Sequence, residues 1–359
     1  LNTIYLTTVD ASHNSMRGAL LDNCQYDEIT ALCRGFGKVI VLSLANDGWY
    51  GGNYFLDNGS NGLEVISKGS ITLTNVGAYD NLGSGMILRN DYSTAAVLIN
   101  TNVTNFTNVF RNNGADGLKI ISQGAVKVER GEANYNKNYG YHITTKGAVT
   151  LKDLTGSGNG YNGLYVNNQV SGSSTIVSLT SSKNIRNAFK ENGIQEPGFY
   201  PGVDIRSYGN ITIQNTDALL NYAAGIHLTS RDAPTAKTIT IVDVNTSENQ
   251  GSGLLAYAKG NINVKGLTSS HNSLIGSDIV YAGETVYERL TANSSYDNWW
   301  FTAPADGHVN IILQSKEFNA YLELYDANGN LIAWDDDSYD DFDAQIEVDL
   351  PASGAYYIH

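Results

Sequence analysis

Apolar and polar side chains alternate in pairs along the first three-quarters of the chain, and no stretch there keeps a 3.6-residue period. Ile71 and Leu73 alternate with Thr72 and Thr74; after a polar bend, Met86 and Leu88 alternate with Ile87 and Arg89. Alternation over four or five residues predicts a strand with one buried face. The first of these patterns recurs at Val126/Val128, Val149/Leu151, Ile211/Ile213, Ile239/Ile241 and Ile262/Val264. The second recurs at Leu63/Val65, Leu118/Ile120, Leu164/Val166, Val203/Ile205 and Ile226/Leu228.

The strands keep a register. A glycine precedes each strand of the second set, at Gly18, Gly62, Gly85, Gly117, Gly140, Gly163, Gly202, Gly225, Gly253 and Gly276. Five of the nine steps between them are 23 residues, and the other four add insertions of 21, 9, 16 or 5. A fixed period of this size predicts one unit stacked on itself. Short strands without helices make that unit one turn of a parallel β-helix, each coil pairing with the next about 4.8 Å along the axis.

Four residues before the glycines stand Asn14, Asn58, Asn81, Asn113, Asn136, Asn159, Asn221, Asn249 and Asn272; the Gly202 coil has Gly198 there. Asn tolerates the left-handed conformation of a bend, and its amide both donates and accepts. Stacked at one corner, these side chains predict a hydrogen-bonded ladder with a structural role. With these features the chain resembles the right-handed parallel β-helix family of pectate lyases, tailspike-type proteins and many bacterial surface proteins. The resemblance covers roughly residues 1–276, and it implies a fold rather than an activity.

After about residue 279 the pattern changes. Trp299-Trp300-Phe301, Val309 to Leu313, Tyr321 to Tyr325, Leu331 to Trp334 and Ala355 to Ile358 read as strands separated by Asp306-Gly307, Asn328-Gly329 and Ser353-Gly354 turns. That is the signature of an antiparallel β-sandwich. The runs Asp297 to Gly307, Ala320 to Gly329, Trp334 to Ser338 and Leu350 to Ile358 resemble the bacterial pre-peptidase C-terminal domain, in that family's order. The resemblance implies a secreted protein and a module for secretion, attachment or substrate docking. The expected organisation is all-β: a β-helix over 1–279 and a jelly-roll-like sandwich over 284–359. The final strand is shorter than the family's, and Leu1 to Asp22 already reads as a working coil, so both ends are expected to be internal to a longer protein.

Charge separates the two parts. Residues 277–359 hold two basic against sixteen acidic residues, whereas residues 1–276 carry 20 of each sign. A neutral solenoid with an acidic module argues against nucleic acid as a partner. No apolar run is long enough to span a membrane. Charged residues make up only 16% of the chain, and its 37 glycines and 23 tyrosines fit an extracellular β protein.

Three sets of residues carry candidate chemistry. Cys24 and Cys33 share the first large insertion; a local disulfide is the preferred reading and two free thiols the alternative. Asp335, Asp336, Asp337, Asp340, Asp341 and Asp343 crowd six carboxylates into nine residues. Bound Ca²⁺ would relieve their repulsion, and a solvated acidic turn is the alternative. Finally, the outward positions two after each glycine are Glu64, Ile87, Lys119, His142, Tyr165, Asp204, His227, Leu255 and Asp278. Arg89, Asn167, Arg206 and Tyr257 follow at the next outward place.

Asp204 beside His227, with Arg206, Tyr165 and His142 near, is the sharpest catalytic candidate, because a carboxylate orients an imidazole and an arginine neutralises a sugar acid. Insertions at Cys24–Gly37, Asp91–Asn102, Val170–Thr175, Lys190–Tyr200 and Ser230–Lys237 would wall this face. Nucleophile motifs, phosphate-cradling loops and zinc spacings are missing from the sequence. The expected function is therefore an extracellular structural or adhesive protein of a bacterial surface. It would self-associate head-to-tail as a filament or stalk, or bind a cell-surface or matrix polysaccharide. The alternative is a secreted polysaccharide lyase or glycoside hydrolase with an accessory domain.

Overall fold

The computed structural model describes residues 3–27, 32–43, 52–102, 106–170, 173, 175–194, 200–270, 272, 278–279, 298–303, 307–315, 318–339, 342–351 and 354–359. Every regular element among them is a strand or an isolated bridge. Two long parallel sheets wind together through residues 4–268.

Sheet I holds nine strands: Ala19–Asp22, Leu63–Ile66, Met86–Asn90, Leu118–Ser122, Tyr141–Thr145, Leu164–Asn168, Val203–Ser207, Ile226–Thr229 and Leu254–Tyr257. Each pairs in parallel with the next, so that Glu64, Ile87, Lys119, His142, Tyr165, Asp204, His227 and Leu255 form one row across the sheet. Sheet II has fourteen strands and carries the other register, for example Ile71–Thr74, Val97–Asn100 and Val126–Glu132. It is creased in several coils by a residue in the left-handed region, at Asn75, Arg130, Asp153, Asn215, Asp243 and Gly266. A coil thus has three faces, which is what two or three short strands per 23 residues require.

The inward half of each alternation fills the axis. Leu63, Val65, Met86, Leu88, Leu118, Ile120, Ile143, Leu164 and Val166 from sheet I meet Ile71, Leu73, Val97, Ile99, Val126 and Val128 from sheet II, all buried. Each fully buried aliphatic side chain stabilises by about 1.5–3 kcal/mol. The glycine before each sheet I strand is explained by close approach. A Cβ on Gly62 would sit 2.7 Å from the Gly85 carbonyl oxygen and 2.8 Å from Asn81 Nδ2, so any side chain would push the coils apart.

At the corner between sheet II and sheet I the asparagines form the ladder. Each backbone N–H and Nδ2 donates to Oδ1 of the next rung, from Asn14 through Asn58, Asn81, Asn113 and Asn136 to Asn159 at 2.9–3.2 Å. Two expectations need correcting here. The row does not skip a coil: Asn192 fills the place assigned to Gly198, linking Asn159 to Asn221, and Asn249 and Asn272 complete it. Asn192 lies ten residues before Gly202 rather than four, so six of the sixteen inserted residues fall after the rung. Nor do the ladder asparagines adopt the left-handed conformation. At nine of the ten rungs the residue before takes it instead: His13, Asp57, Asp80, Asn112, Tyr135, Gly158, Glu191, Leu220 and Glu248, with φ between 52° and 65°. Eight of these nine are not glycine. Such residues carry backbone strain, and the hydrogen-bonded amide that follows offsets it.

Beyond the solenoid, Trp299–Ala303, Gly354–Ile358, Leu322–Asp326 and Leu331–Asp335 form an antiparallel sheet, which Asp278–Ile279 joins in parallel beside Trp299–Ala303. His308–Leu313 and Ala344–Asp349 pair separately. Ala320, Leu322, Leu324, Ala344, Ile346, Leu350 and Tyr356 make their common core. The expected domain junction at 280–284 lies outside the described residues.

Candidate functional site

The outward row of sheet I gathers most of the candidate chemistry. Strand pairing sets Asp204 directly beside His227, and Asp204 is almost fully buried, at 2% exposure. His227 Nδ1 lies 2.9 Å from Asp204 Oδ1. Arg206, two residues on and on the same face, donates from Nη2 to Oδ2 at 2.8 Å and from Nε to both oxygens at 3.2 Å. Burial alone would raise the Asp204 carboxyl, but hydrogen bonds from His227 and Arg206 outweigh it and hold it below the usual carboxylate range. The same contact raises Arg206. Asp204, His227 and Arg206 are therefore brought together as the sequence indicated. The guanidinium also lies over the Tyr165 ring, 5.6 Å from its centroid.

A second carboxylate–imidazole pair lies three coils earlier. His142 Nδ1 is 3.1 Å from Asp116 Oδ2, and Lys119 Nζ is 3.9 Å from the same oxygen. With Nδ1–H donating to the carboxylate, Nε2 is the basic nitrogen of His142. Sequence reasoning missed Asp116. It stands immediately before Gly117, in a column that also holds Arg17, Tyr139 and Asn162 and was not read as part of this face. Arg17 Nε reaches Glu64 of sheet I at 3.4 Å, which shows the column facing the outward row.

Between the two pairs lies an aromatic cluster. Tyr139 contacts His142, Tyr161 and Tyr165 with ring centroids 4.6, 5.3 and 5.5 Å apart, and Tyr161 stacks on Tyr200 at 4.5 Å. Burial, with the neighbouring Tyr165, Tyr200, Asp116 and Tyr161, pushes the Tyr139 phenol up to about 12, so it stays a hydrogen-bond donor at any physiological pH. Past His227 the band continues to Tyr257, over which Arg231 sits at 5.5 Å. From Lys119 to Tyr257 each coil thus contributes an ionic or aromatic group to one face. Six consecutive sheet I strands take part.

The other candidates fall elsewhere. Glu64, Ile87 and Leu255 lie in the outward row but outside the band, and the side chain of Asp278 lies outside the described residues. Cys24 and Cys33 are joined by a disulfide, their Cα atoms 4.8 Å apart. Of the six aspartates, Asp340 and Asp341 are outside the described residues. Asp335 accepts from the backbone N–H of Ser338 and Gln345, Asp343 from that of Ser315, and Asp336 from the Asn319 amide. These three meet separate donors, and among the described residues no three His, Cys, Asp or Glu side chains group as a metal site requires. A concavity of about 590 Å³ lies not on this face but along the ladder corner. The band is an open surface, suited to an extended ligand.

Comparison with known proteins adds the following. Residues 295–359 match the bacterial pre-peptidase C-terminal domain. Among solved structures, the A-module of the mannuronan C-5 epimerase of Azotobacter vinelandii is similar, with 14% identity over 80% of this chain and 82% of that one and a TM-score of 0.36. No curated protein matches the chain. Among the described residues no helix is long and apolar enough to cross a membrane.

Proposed function

We propose that the chain is an extracellular structural or adhesive protein of a bacterial surface whose solenoid holds an acidic polysaccharide along the outward face of sheet I. The observation that carries the reading is the unbroken band from Lys119 to Tyr257. Its tyrosines supply flat faces for sugar rings, and Lys119 and Arg206 supply charge for sugar carboxylates. One pyranose is about as long as one coil is high, ~4.8 Å, so an extended chain running along the axis meets a new row of groups at each sugar. The acidic terminal module repels such a polyanion, which leaves the neutral solenoid as its partner.

Titration calorimetry against a polyuronate and a neutral glucan tests this. The polyuronate binds and the glucan does not; Tyr165→Ala and Arg206→Leu each weaken binding about threefold to tenfold, the worth of one ring or one ion pair. Equal affinity for both polymers, or wild-type affinity in both variants, removes the reading.

The two carboxylate–imidazole pairs favour a second reading, turnover of the bound polysaccharide. In it His142 Nε2 acts as a general base beside the Tyr139 phenol, which donates a proton. Formation of unsaturated or reducing ends that is lost in His142→Gln would establish it; binding without new ends would leave adhesion alone. End-to-end assembly of the solenoid and Ca²⁺ at the loop of Asp335 to Asp343 belong to the same proposal. Electron microscopy showing only separate particles removes the first, and an unchanged thermal midpoint in chelator removes the second.

A further inference from the structure

Two clusters on sheet I have the same makeup. Each joins one buried carboxylate, one permanent cation and one imidazole: Asp116, Lys119 and His142 in the first, Asp204, Arg206 and His227 in the second. His142 and His227 stand in one outward row with Tyr165 and Asp204 between them, three strand pairings apart, or about 14 Å. In both clusters the carboxylate is the innermost member, at 5% exposure for Asp116 and 2% for Asp204. The cation and the imidazole lie further out.

Each carboxylate holds Nδ1 of its histidine, so Nε2 is the nitrogen that gains or loses a proton. While the imidazole is neutral, carboxylate and cation cancel, and Nε2 turns a lone pair toward any incoming acid. A proton on Nε2 changes both at once: the cluster gains one positive charge, and the new N–H donates to a carboxylate oxygen. Besides Asp116 and Lys119, the rings of Tyr139 and Tyr165 face His142. Besides Asp204 and Arg206, His227 meets Tyr257, over which lies Arg231, itself paired with Asp232.

We propose that the two clusters are paired subsites for sugar carboxylates, and that each takes up a proton at its histidine as a uronate binds. The inference rests on the polyuronate reading of the band and goes further, by fixing which sugars are recognised and what accompanies their binding. With one sugar per coil, the recognised carboxylates belong to the first and fourth sugars of a bound stretch. Tyr165 touches both clusters, its ring 5.4 Å from that of His142 and 5.6 Å from the Arg206 guanidinium, and lies beneath the sugars between. A protonated His142 cannot also act as a base, so this bound state belongs to adhesion rather than turnover.

Titration calorimetry of the whole chain at pH 7.5, repeated in two buffers of different ionisation enthalpy, counts the protons taken up. A tetrauronate takes up between about one and two, and a triuronate, which reaches only one cluster at a time, about half as many. His142→Gln and His227→Gln each remove about half of the tetrauronate value, and the double variant, checked for folding by its melting midpoint, brings it near zero. From pH 8 to pH 6 the uronate stays ionised; wild-type affinity rises about tenfold, and that of the double variant changes less than about twofold. Three results overturn the proposal: tetrauronate binding without proton uptake, equal uptake with three and four sugars, or a double variant that keeps the wild-type pH dependence. Each of these leaves polyuronate binding itself standing, whereas no binding between pH 6 and pH 8 removes the proposed function and this inference together. The first two need no variant, so a misfolded substitution cannot hide the answer.

Discussion

Replacing Asn136 by alanine removes four hydrogen bonds from the middle of the ladder. Oδ1 accepts from Asn113 N at 3.1 Å and Nδ2 at 2.9 Å; Nδ2 donates to Asn159 Oδ1 at 3.0 Å and the Phe110 carbonyl at 2.8 Å. The losses are unequal. Asn113 Nδ2 keeps the Ala78 carbonyl, and Asn159 Oδ1 keeps the backbone N–H of residue 136. The backbone N–H of Asn113, deep in the corner, loses the acceptor the ladder gave it. An orphaned buried donor costs about 1–3 kcal/mol. With the small cavity added, the total is about 2–4 kcal/mol. The control is Asn14→Ala at the exposed first rung, where water replaces the lost partners and the cost stays below about 1 kcal/mol. Urea unfolding followed by circular dichroism gives the comparison. Amide exchange localises it, because a stack of repeats need not unfold in one step. If the two variants differ by less than about 0.5 kcal/mol, the ladder is not what holds this corner. Asn136→Asp goes further: its second oxygen faces two acceptors, so at neutral pH it destabilises more than alanine does, and acid reverses part of the loss.

Tyr141 occupies an inward place taken by Ala, Leu, Met, Val or Ile on the other coils; it is fully buried, its hydroxyl has no hydrogen-bond partner among the described residues, and burial pushes the phenol well above its usual range. Tyr141→Phe is therefore expected to be neutral or to stabilise by up to about 1 kcal/mol, measured by the thermal midpoint. Gly131→Ala destabilises, because its Cβ would strike the Tyr141 hydroxyl, and combining it with Tyr141→Phe recovers part of that loss in the same measurement. Asp204 supplies a pH dependence. Its carboxyl is depressed in the fold, so its contribution is complete above the unfolded value of about 3.9 and disappears as pH falls through the folded value. Asp204→Asn should flatten the stability profile below about pH 4; an unaltered acid limb in urea titrations counts against the Asp204–Arg206–His227 contact.

The coil could be read from the chain because its signals are local and repeated at one offset: an alternation, a glycine that nothing else fits, an asparagine four residues earlier. Asn192 escaped for a simple reason. Insertion on both sides of it moved it off the expected offset, and only the hydrogen bonds restore it to the row. The left-handed residues were assigned one place late, since asparagine tolerates that conformation while the structure puts its neighbour there, whatever its type. At the site, Asp204, Arg206 and His227 were legible because strand register alone makes them neighbours. Asp116 and Tyr139 were not, because they stand just before the strands, where the chain is still turning and alternation does not tell inward from outward. Reading the column before each glycine as a row would have found both.

The ladder also has a sense of direction. From Asn58 to Asn249 every rung turns its oxygen toward the preceding coil and sends its backbone and side-chain N–H toward the following one. Parallel strands give and take equally across each gap, but this file of amides does not, and its small dipoles add instead of cancelling. A second ladder set against this one in line would meet it favourably in one sense only, oxygen to hydrogen, and in the reverse sense like poles would face each other.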